Sequence, residues 1–344
     1  MTNKREDVGI EIETECVVAC DDDSLILNIK SEEVENTIEE KGNQTIKEFG
    51  AMSKKLFESF MQNKKKIIIF LSILAVICIA LVVVASIWDY QIAHALNNPY
   101  EWYSWFLQDY GEWVPAYLVN VGFMLVLFVW LVRNRKKDSH LHWLSIIPLT
   151  GALTFGYLFT DLVLTENIII NIVVNIVMIS GLTTVFFFIP KNVLIKILFI
   201  LMIGFIISNL VYFLMLFTKW LWGRVRFRDI GQYLDPDIGF TNWFIINGPN
   251  GNEAFFSGHV LAALSTTFAW LAIPVFKIRN KFVIVAIFLF SAFYVVSMMY
   301  GRIVTGAHYL SDVTFSVIMF TLFNLLGMVL LRLIVLRKGK QLKK

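Results

Sequence analysis

Long runs of apolar residues, separated by short polar stretches, dominate the chain after residue 63. A helix needs about 20 mostly apolar residues to cross the hydrocarbon core of a bilayer. Eight runs are near or above that length: 67–88, 113–132, 143–164, 168–189, 194–217, 257–276, 282–300 and 313–336. Gly151 and Asp161 make the third run the weakest. The pattern predicts an all-α polytopic transmembrane helical bundle of about eight spans.

The chain before the first run has the opposite character. Residues 1–63 carry many more acidic than basic side chains and only a few short apolar clusters. Segments of low hydrophobicity and high charge do not bury enough apolar surface to fold alone. We therefore predict a soluble, acidic, partly disordered tail over 1–63, with helix at 45–62, and a membrane domain over 64–344. A hydrophobic content of 57% and a mean hydropathy of +0.65 agree with the membrane class.

Basic residues indicate how the bundle is oriented. Clusters of Lys and Arg fall in alternate connections, at 64–66, 133–137, 191–196, 277–281 and 337–344. Cytoplasmic connections of membrane proteins carry an excess of Lys and Arg. With eight spans, all of these clusters lie on one side. We predict a multi-pass protein of the cell membrane with both termini in the cytoplasm.

Segment 219–228, KWLWGRVRFR, breaks this pattern because it places four cations on the predicted outer side. Attraction to anionic lipid headgroups is one explanation, and a phosphate-binding site is the other. Connection 89–112, also on that side, has no Lys or Arg and is rich in Trp and Tyr. That composition is typical of a segment lying at the level of the headgroups.

Five residues on the predicted outer side are suited to binding phosphate. Arginine pairs with phosphate oxygens bidentately, and lysine acts as a point charge. A helix start offers free N–H groups, and glycine lets the backbone approach an anion closely. One candidate is Ser257, and the ordinary role of a serine at a helix start is to cap that helix. The candidates are Lys219, Arg226, Ser257, Gly258 and Arg302.

Two histidines and an aspartate could perform the chemistry. A neutral imidazole can attack phosphorus when a partner fixes its tautomer. His308 and Asp312 are four residues apart, so they share one face of a helix that starts there, and Asp312 would orient His308. His259 could protonate the leaving oxygen and then activate water. No carboxylate cluster suited to Mg²⁺ lies beside these groups, so we expect no metal or other cofactor.

These residues resemble the motifs of the type 2 phosphatidic acid phosphatase superfamily, the integral-membrane lipid phosphatases. The family pattern is Lys-x6-Arg-Pro, Pro-Ser-Gly-His and Ser-Arg-x5-His-x3-Asp. The chain reads KWLWGRVRF at 219–227, FSGH at 256–259 and GRIVTGAHYLSD at 301–312. The resemblance covers about 190–335, and the aromatic connection 89–112 is similar to the family's interfacial segment.

The resemblance implies a six-helix core with its site on the extracytoplasmic side. It implies His308 as nucleophile, Asp312 as its orienting partner and His259 as acid and base, with the five candidates above binding phosphate. The expected activity is metal-independent hydrolysis of a lipid phosphate through a phosphohistidine. The expected partners are that substrate and membrane lipids, with no nucleic acid. Phosphatidic acid, phosphatidylglycerophosphate and polyprenyl diphosphate remain open as substrates, and the oligomeric state is open as well.

Three positions depart from the family pattern. Phe227 and Phe256 stand where the family has prolines, and Gly301 stands where it has serine. Prolines mainly shape the backbone, whereas the missing serine removes one hydroxyl from the predicted phosphate site.

Other functions remain open on sequence alone. The same site could transfer phosphate to another acceptor, as a lipid phosphotransferase. A non-catalytic lipid-binding or transport protein gains slight support from polar residues inside predicted spans, Asn171 and Asn175 among them. The acidic tail could also recruit cytoplasmic partners. The connection 229–256, with the turn cluster NGPNGN at 247–252, is predicted to gate the site or contact the headgroup.

Overall fold

The computed structural model describes residues 45–134, 142–163, 167–230 and 239–341. Within these ranges all regular structure is helical and no strand occurs. Most of the predicted tail, part of the 229–256 connection and most of the basic cluster 133–137 lie outside the described residues. The predicted helix at 45–62 is confirmed. From Glu48 onward the chain forms one compact unit.

Twelve helices are labelled here in chain order within the described ranges. They are α1 (45–62), α2 (Lys64–Leu96), α3 (Trp102–Phe106), α4 (Trp113–Asn134), α5 (His142–Val163), α6 (Ile168–Phe188), α7 (Lys191–Trp222), α8 (Phe227–Ile230), α9 (Gly258–Leu264), α10 (Ala272–Phe276), α11 (Lys281–Val304) and α12 (Leu310–Gln341). A π-helical turn, Leu107–Gly111, precedes α4, and a 3₁₀ segment, Ser265–Leu271, joins α9 to α10.

The bundle has the length and composition of a multi-pass membrane protein. Among the described residues, seven helical segments are long and apolar enough to cross a bilayer: Lys64–Leu96, Trp102–Asn134, Ile168–Phe188, Lys191–Ile230, Gly258–Phe276, Lys281–Val304 and Leu310–Leu330. The weakest predicted span corresponds to α5, whose apolar stretch Leu144–Leu158 is shorter than these seven. A polytopic helical bundle is therefore confirmed, with seven clear spans and one shorter apolar helix.

Large apolar side chains cover the outside of the helices. On α2, Ile69, Val76 and Ile79 are each more than half exposed. A helix that is apolar all round suits a surrounding of lipid, because lipid chains replace the protein core as its apolar contact. The exposed apolar surface is thus the expected surface of a spanning bundle.

Local signals fix several helix ends. The side-chain oxygen of Asn167 accepts from the first backbone N–H groups of α6, and Asn280 does the same for α11. Gly223 ends α7 in the left-handed conformation, with φ of 53°. A side chain there would also collide with the Gly248 carbonyl oxygen, because a Cβ would lie 2.1 Å from it.

Helix α1 packs on the membrane helices. Met52 and Leu56 are buried in a cluster that includes Ile195, Phe199 and Val275. Residues 48–62 are therefore anchored to the bundle, at the end where α7 begins and α10 finishes.

The predicted site residues and the predicted cytoplasmic clusters lie at opposite ends of the bundle. At one end, Lys191 of α7 donates to the Arg133 carbonyl oxygen at the end of α4, at 2.9 Å. At the other end, the C-termini of α2, α7 and α11 meet the N-termini of α4, α9 and α12. This second end holds the candidate site.

Candidate active site

His308 lies in the turn between α11 and α12, nearly fully buried at 2% exposure. Its backbone N–H donates to the Arg302 carbonyl oxygen at 3.1 Å. Its ring Nδ1 is 2.6 Å from the Ala254 carbonyl oxygen. A carbonyl only accepts, so Nδ1 must carry the hydrogen in this contact. The other nitrogen, Nε2, then holds the lone pair that a nucleophile needs.

Asp312 lies in the first turn of α12, whereas His308 precedes that helix, so the prediction that the two residues share a helix face is wrong. The closest Asp312 oxygen is 3.6 Å from His308 Nδ1, which is ion-pair distance and too long for a good hydrogen bond. That same oxygen accepts from the Tyr309 backbone N–H at 2.9 Å. The imidazole is therefore fixed directly by the Ala254 carbonyl, with Asp312 acting on it as a nearby charge.

Arg224 is the main partner of Asp312, and sequence reasoning missed it. Its guanidinium is fully buried and donates to Asp312 at 2.5 Å and to Asp89 at 2.8 Å. Ser311 links the same groups: its hydroxyl accepts from Arg224 at 2.7 Å and donates to Asp89. Two buried carboxylates thus share one buried cation, tying α2 to the start of α12.

A sequence signal for this network existed. Asp89 is a lone carboxylate at the end of a strongly apolar helix, and acidic groups in such positions are usually paired and functional. Charge counting alone did not distinguish Arg224 from the other cations of 219–228. Only the structure shows that Arg224 faces inward, with its guanidinium 4.1 Å from the Tyr309 ring centre.

The predicted phosphate-binding cations converge on His308. Burial, followed by the positive charges of Arg302, Lys219 and Arg226, lowers the pKa of His308 well below its usual value. All three cations therefore lie close enough to act on the imidazole. The same effect keeps His308 neutral near pH 7, which is the form that attacks phosphorus.

Two of these cations keep donors without a protein partner. The Nε groups of Arg226 and Arg302 are buried, and no described residue accepts from them. Buried donors are nearly always satisfied, and a phosphate oxygen could accept from either of these two groups. Lys219 differs from these two residues because it has an ion-pair partner: its ammonium is 4.0 Å from the Glu253 carboxylate.

Ser257 and Gly258 begin α9 as predicted. The Ser257 hydroxyl accepts from the Val260 N–H at 3.5 Å, which is the ordinary capping role. Ser316 of α12 donates to the Ser257 carbonyl at 2.9 Å. These contacts hold the start of α9 against α12 and so position the next residue, His259.

His259 contacts the interfacial segment, meaning residues 101–112. Its Nδ1 is 3.0 Å from the Glu112 carboxylate, and its Nε2 is 3.2 Å from the Gln108 carbonyl oxygen. The Gln108 side-chain oxygen accepts from Arg302 at 2.8 Å and from Arg228 at 3.2 Å. Sequence reasoning assigned this segment to the headgroup level only, whereas it lies directly on the site.

Two of the three departures from the family motifs have packing explanations. Phe227 packs in an aromatic group with Tyr90, at 5.6 Å between ring centres, and Phe256 is fully buried. A Cβ on Gly301 would lie 3.4 Å from Leu107 and 3.6 Å from Ser104. These are ordinary van der Waals distances, so a serine would fit against the interfacial segment and packing does not explain the glycine.

The turn cluster 247–252 has a structural role in its described part. The Asn250 amide donates to the Gly223 carbonyl oxygen at 2.7 Å, and the Gly248 N–H donates to Leu221. These contacts hold the end of α7, where the cations begin. Within the described residues, no group of three His, Cys, Asp or Glu is placed to hold a metal ion.

Comparison with known proteins gives one family. No curated protein and no solved structure matches the chain significantly. Residues 193–334 match the family model described as the PAP2 superfamily. All eight predicted site residues lie inside that range, and the resemblance seen in the motifs is confirmed. Residues 193–334 are thus similar to the PAP2 superfamily, a family of phosphatase-type hydrolases.

Proposed function

We propose that this protein hydrolyses a lipid phosphate at the extracytoplasmic face of the membrane through a phosphohistidine intermediate. The observation that carries the proposal is the state of His308. It is buried, with Nδ1 engaged by the Ala254 carbonyl, and the charges of Arg302, Lys219 and Arg226 act on it. A neutral imidazole beside three cations is suited to attack a phosphate, which brings negative charge to the same place.

The reaction follows from these positions. His308 Nε2 attacks phosphorus and forms a P–N bond, while the bond from phosphorus to the leaving oxygen breaks. His259 gives that oxygen a proton, so an alcohol departs. A water then attacks phosphorus as its proton passes to His259, the P–N bond breaks, and inorganic phosphate leaves. The Arg and Lys groups stabilise the charge on the phosphoryl oxygens in both steps.

Several features support a lipid as the substrate. The site lies at the end of spanning helices, beside the interfacial segment. Trp102 of that segment is 75% exposed, and Tyr100 just before it is 91% exposed. Such aromatic side chains favour the headgroup layer, where a lipid phosphate is found. Phosphatidic acid, phosphatidylglycerophosphate and polyprenyl diphosphate all present a terminal phosphate of this kind.

The extracytoplasmic assignment rests on the distribution of cations. The clusters at 64–66 and 277–281, together with Lys191, lie at the end of the bundle opposite the site. The positive-inside tendency puts that opposite end in the cytoplasm.

The proposal is tested by phosphate release from short-chain phosphatidic acid and from a polyprenyl diphosphate. We expect the purified protein to release phosphate from at least one of them and His308→Ala to lose nearly all of that activity. Equal rates for the two proteins would contradict the mechanism. Product analysis with an added alcohol then separates hydrolysis from transfer to another acceptor.

A further inference from the structure

Glu112 has no role in the predicted site, yet its carboxylate contacts one of the two histidines. It ends the interfacial segment just before α4. The carboxylate oxygen is 3.0 Å from His259 Nδ1, and both side chains are mostly covered, at 30% and 24% exposure. Partial burial strengthens such a contact because little water competes for it.

The partners of the two ring nitrogens of His259 determine how many protons His259 and Glu112 hold together. Nε2 is 3.2 Å from the Gln108 carbonyl, which only accepts, so Nε2 carries a hydrogen. At 3.0 Å, a Glu112 carboxylate oxygen and an unprotonated Nδ1 would face each other with lone pairs, so a favourable contact needs a second proton between them. Whether that proton is bound to nitrogen or to oxygen, the pair holds one proton more than a lone neutral histidine.

The position of Glu112 is built into the fold. The preceding Gly111 lies so close to α11 that a Cβ would be 2.7 Å from Met298. Tyr294 of α11 donates its hydroxyl to the Gly111 carbonyl oxygen at 2.5 Å. The π-helical turn is thereby fixed on α11, which sets where Glu112 points.

We propose that Glu112 and His259 act as one proton-donating unit. In this unit Glu112 is a positioning residue that keeps a proton on His259 for transfer to the leaving oxygen. This rests on the proposed function. When the leaving oxygen takes the Nε2 hydrogen, the second proton ends on Nδ1 and Glu112 ends as a carboxylate. The following water returns one proton to Nε2 and restores the unit.

The unit matters only when the leaving oxygen needs a proton. An alkoxide from phosphatidic acid is a poor leaving group, whereas p-nitrophenolate departs without protonation. We therefore compare Glu112→Gln with the unchanged protein on short-chain phosphatidic acid and on p-nitrophenyl phosphate. The measured quantity is the pre-steady-state release of the first product, alcohol or p-nitrophenol. Because both substrates are assayed on one sample, the fraction of folded protein cancels in their ratio.

We expect Glu112→Gln to slow release from phosphatidic acid by about 100-fold, the usual size of general-acid catalysis, and release from p-nitrophenyl phosphate by less than about threefold. Glu112→Asp keeps a carboxylate and should recover part of the loss; it also serves if the Gln variant does not fold. Glu101→Gln is the matched control, since its carboxylate instead accepts from Tyr300 at 3.1 Å, and it should leave the ratio unchanged.

An equal effect of Glu112→Gln on both substrates, or none, would overturn the proposal. The ratio of the two release rates should lie closer to that of the unchanged protein in Glu112→Asp than in Glu112→Gln. If it does not, the proposal is overturned as well. Failure of the proposed function looks different, because the unchanged protein would then release neither product above His308→Ala.

Discussion

At the scale of single residues, the account depends on how buried charges are compensated. Arg224 is the cation shared by Asp89 and Asp312, and all three side chains are fully buried. Removing one partner from a buried ion pair leaves an uncompensated charge, which costs far more than the pair contributes to stability when intact. Arg224 is therefore a structural support for Asp312, the carboxylate beside His308.

Arg224→Ala should destabilise the protein by roughly 3–5 kcal/mol, because two buried carboxylates lose their cation. Thermal unfolding of the purified protein in detergent measures the loss. Arg228→Ala is the matched control, since Arg228 is partly exposed and its pairing with Asp229 is long, at 3.9 Å, so its loss should cost less than about 1 kcal/mol. Equal melting temperatures for the two variants would contradict the role of Arg224.

The lowered pKa of His308 predicts how activity responds to acid. A histidine with a lowered pKa stays neutral, and so nucleophilic, at pH values where a free histidine is already protonated. Activity should therefore persist below pH 6.5, the ordinary pKa of histidine, and fall only at lower pH. Removing a neighbouring cation raises the pKa, so Lys219→Met should move the acid limb of kcat/KM to higher pH.

Both proteins are assayed on the same substrate, so ionisation of the substrate phosphate cancels in the comparison. An acid limb that stays in place in Lys219→Met, or moves to lower pH, would contradict the electrostatic effect of Lys219 on His308.

At the scale of elements, the interfacial segment is more than a headgroup anchor. Its π-helical turn contributes the Gln108 side-chain oxygen to Arg302 and Arg228 at once. A neutral oxygen between two cations occupies a position that a phosphate oxygen would satisfy better. We therefore expect a phosphate bound at Arg302 to displace this side chain.

Gln108→Ala should lower the inhibition constant of orthovanadate by about three- to tenfold. In this variant, vanadate binding no longer has to break the hydrogen bond from Arg302 to the Gln108 side chain. The inhibition constant on short-chain phosphatidic acid measures the change. Gln62→Ala, an exposed residue of α1, is the control and should match the unchanged protein. Weaker or unchanged inhibition in Gln108→Ala would show that Gln108 does not compete with phosphate.

At the scale of the whole molecule, sequence alone was enough to predict the bundle and the meeting of three motifs at one end. Apolar run length predicts most of the spans. Alternate basic clusters predict their direction, which stays a prediction. The side-chain partners were not predictable in the same way. Whether Asp312 faces His308 or Arg224, and whether Glu112 faces lipid or His259, depends on packing between segments far apart in the chain. Run length and spacing carry no information on those distances.

The orientation predicts which residues an impermeant reagent reaches. In a background with Cys16, Cys20 and Cys78 replaced by Ser, Tyr100→Cys should react with a membrane-impermeant maleimide on intact cells. Gln62→Cys, at the predicted cytoplasmic end, should react only after the cells are opened. The reverse pattern would place the site in the cytoplasm and contradict the extracytoplasmic assignment.

The proposed mechanism requires that His308 becomes phosphorylated during turnover. The most direct measurement uses His259→Ala with ³²P-labelled p-nitrophenyl phosphate. This substrate needs no proton for the first step, and the variant leaves water unactivated in the second. We expect labelled protein to accumulate, the label to be labile to acid and stable to base, and peptide mapping to place it on His308. Absence of label, or label on another residue, would contradict the mechanism.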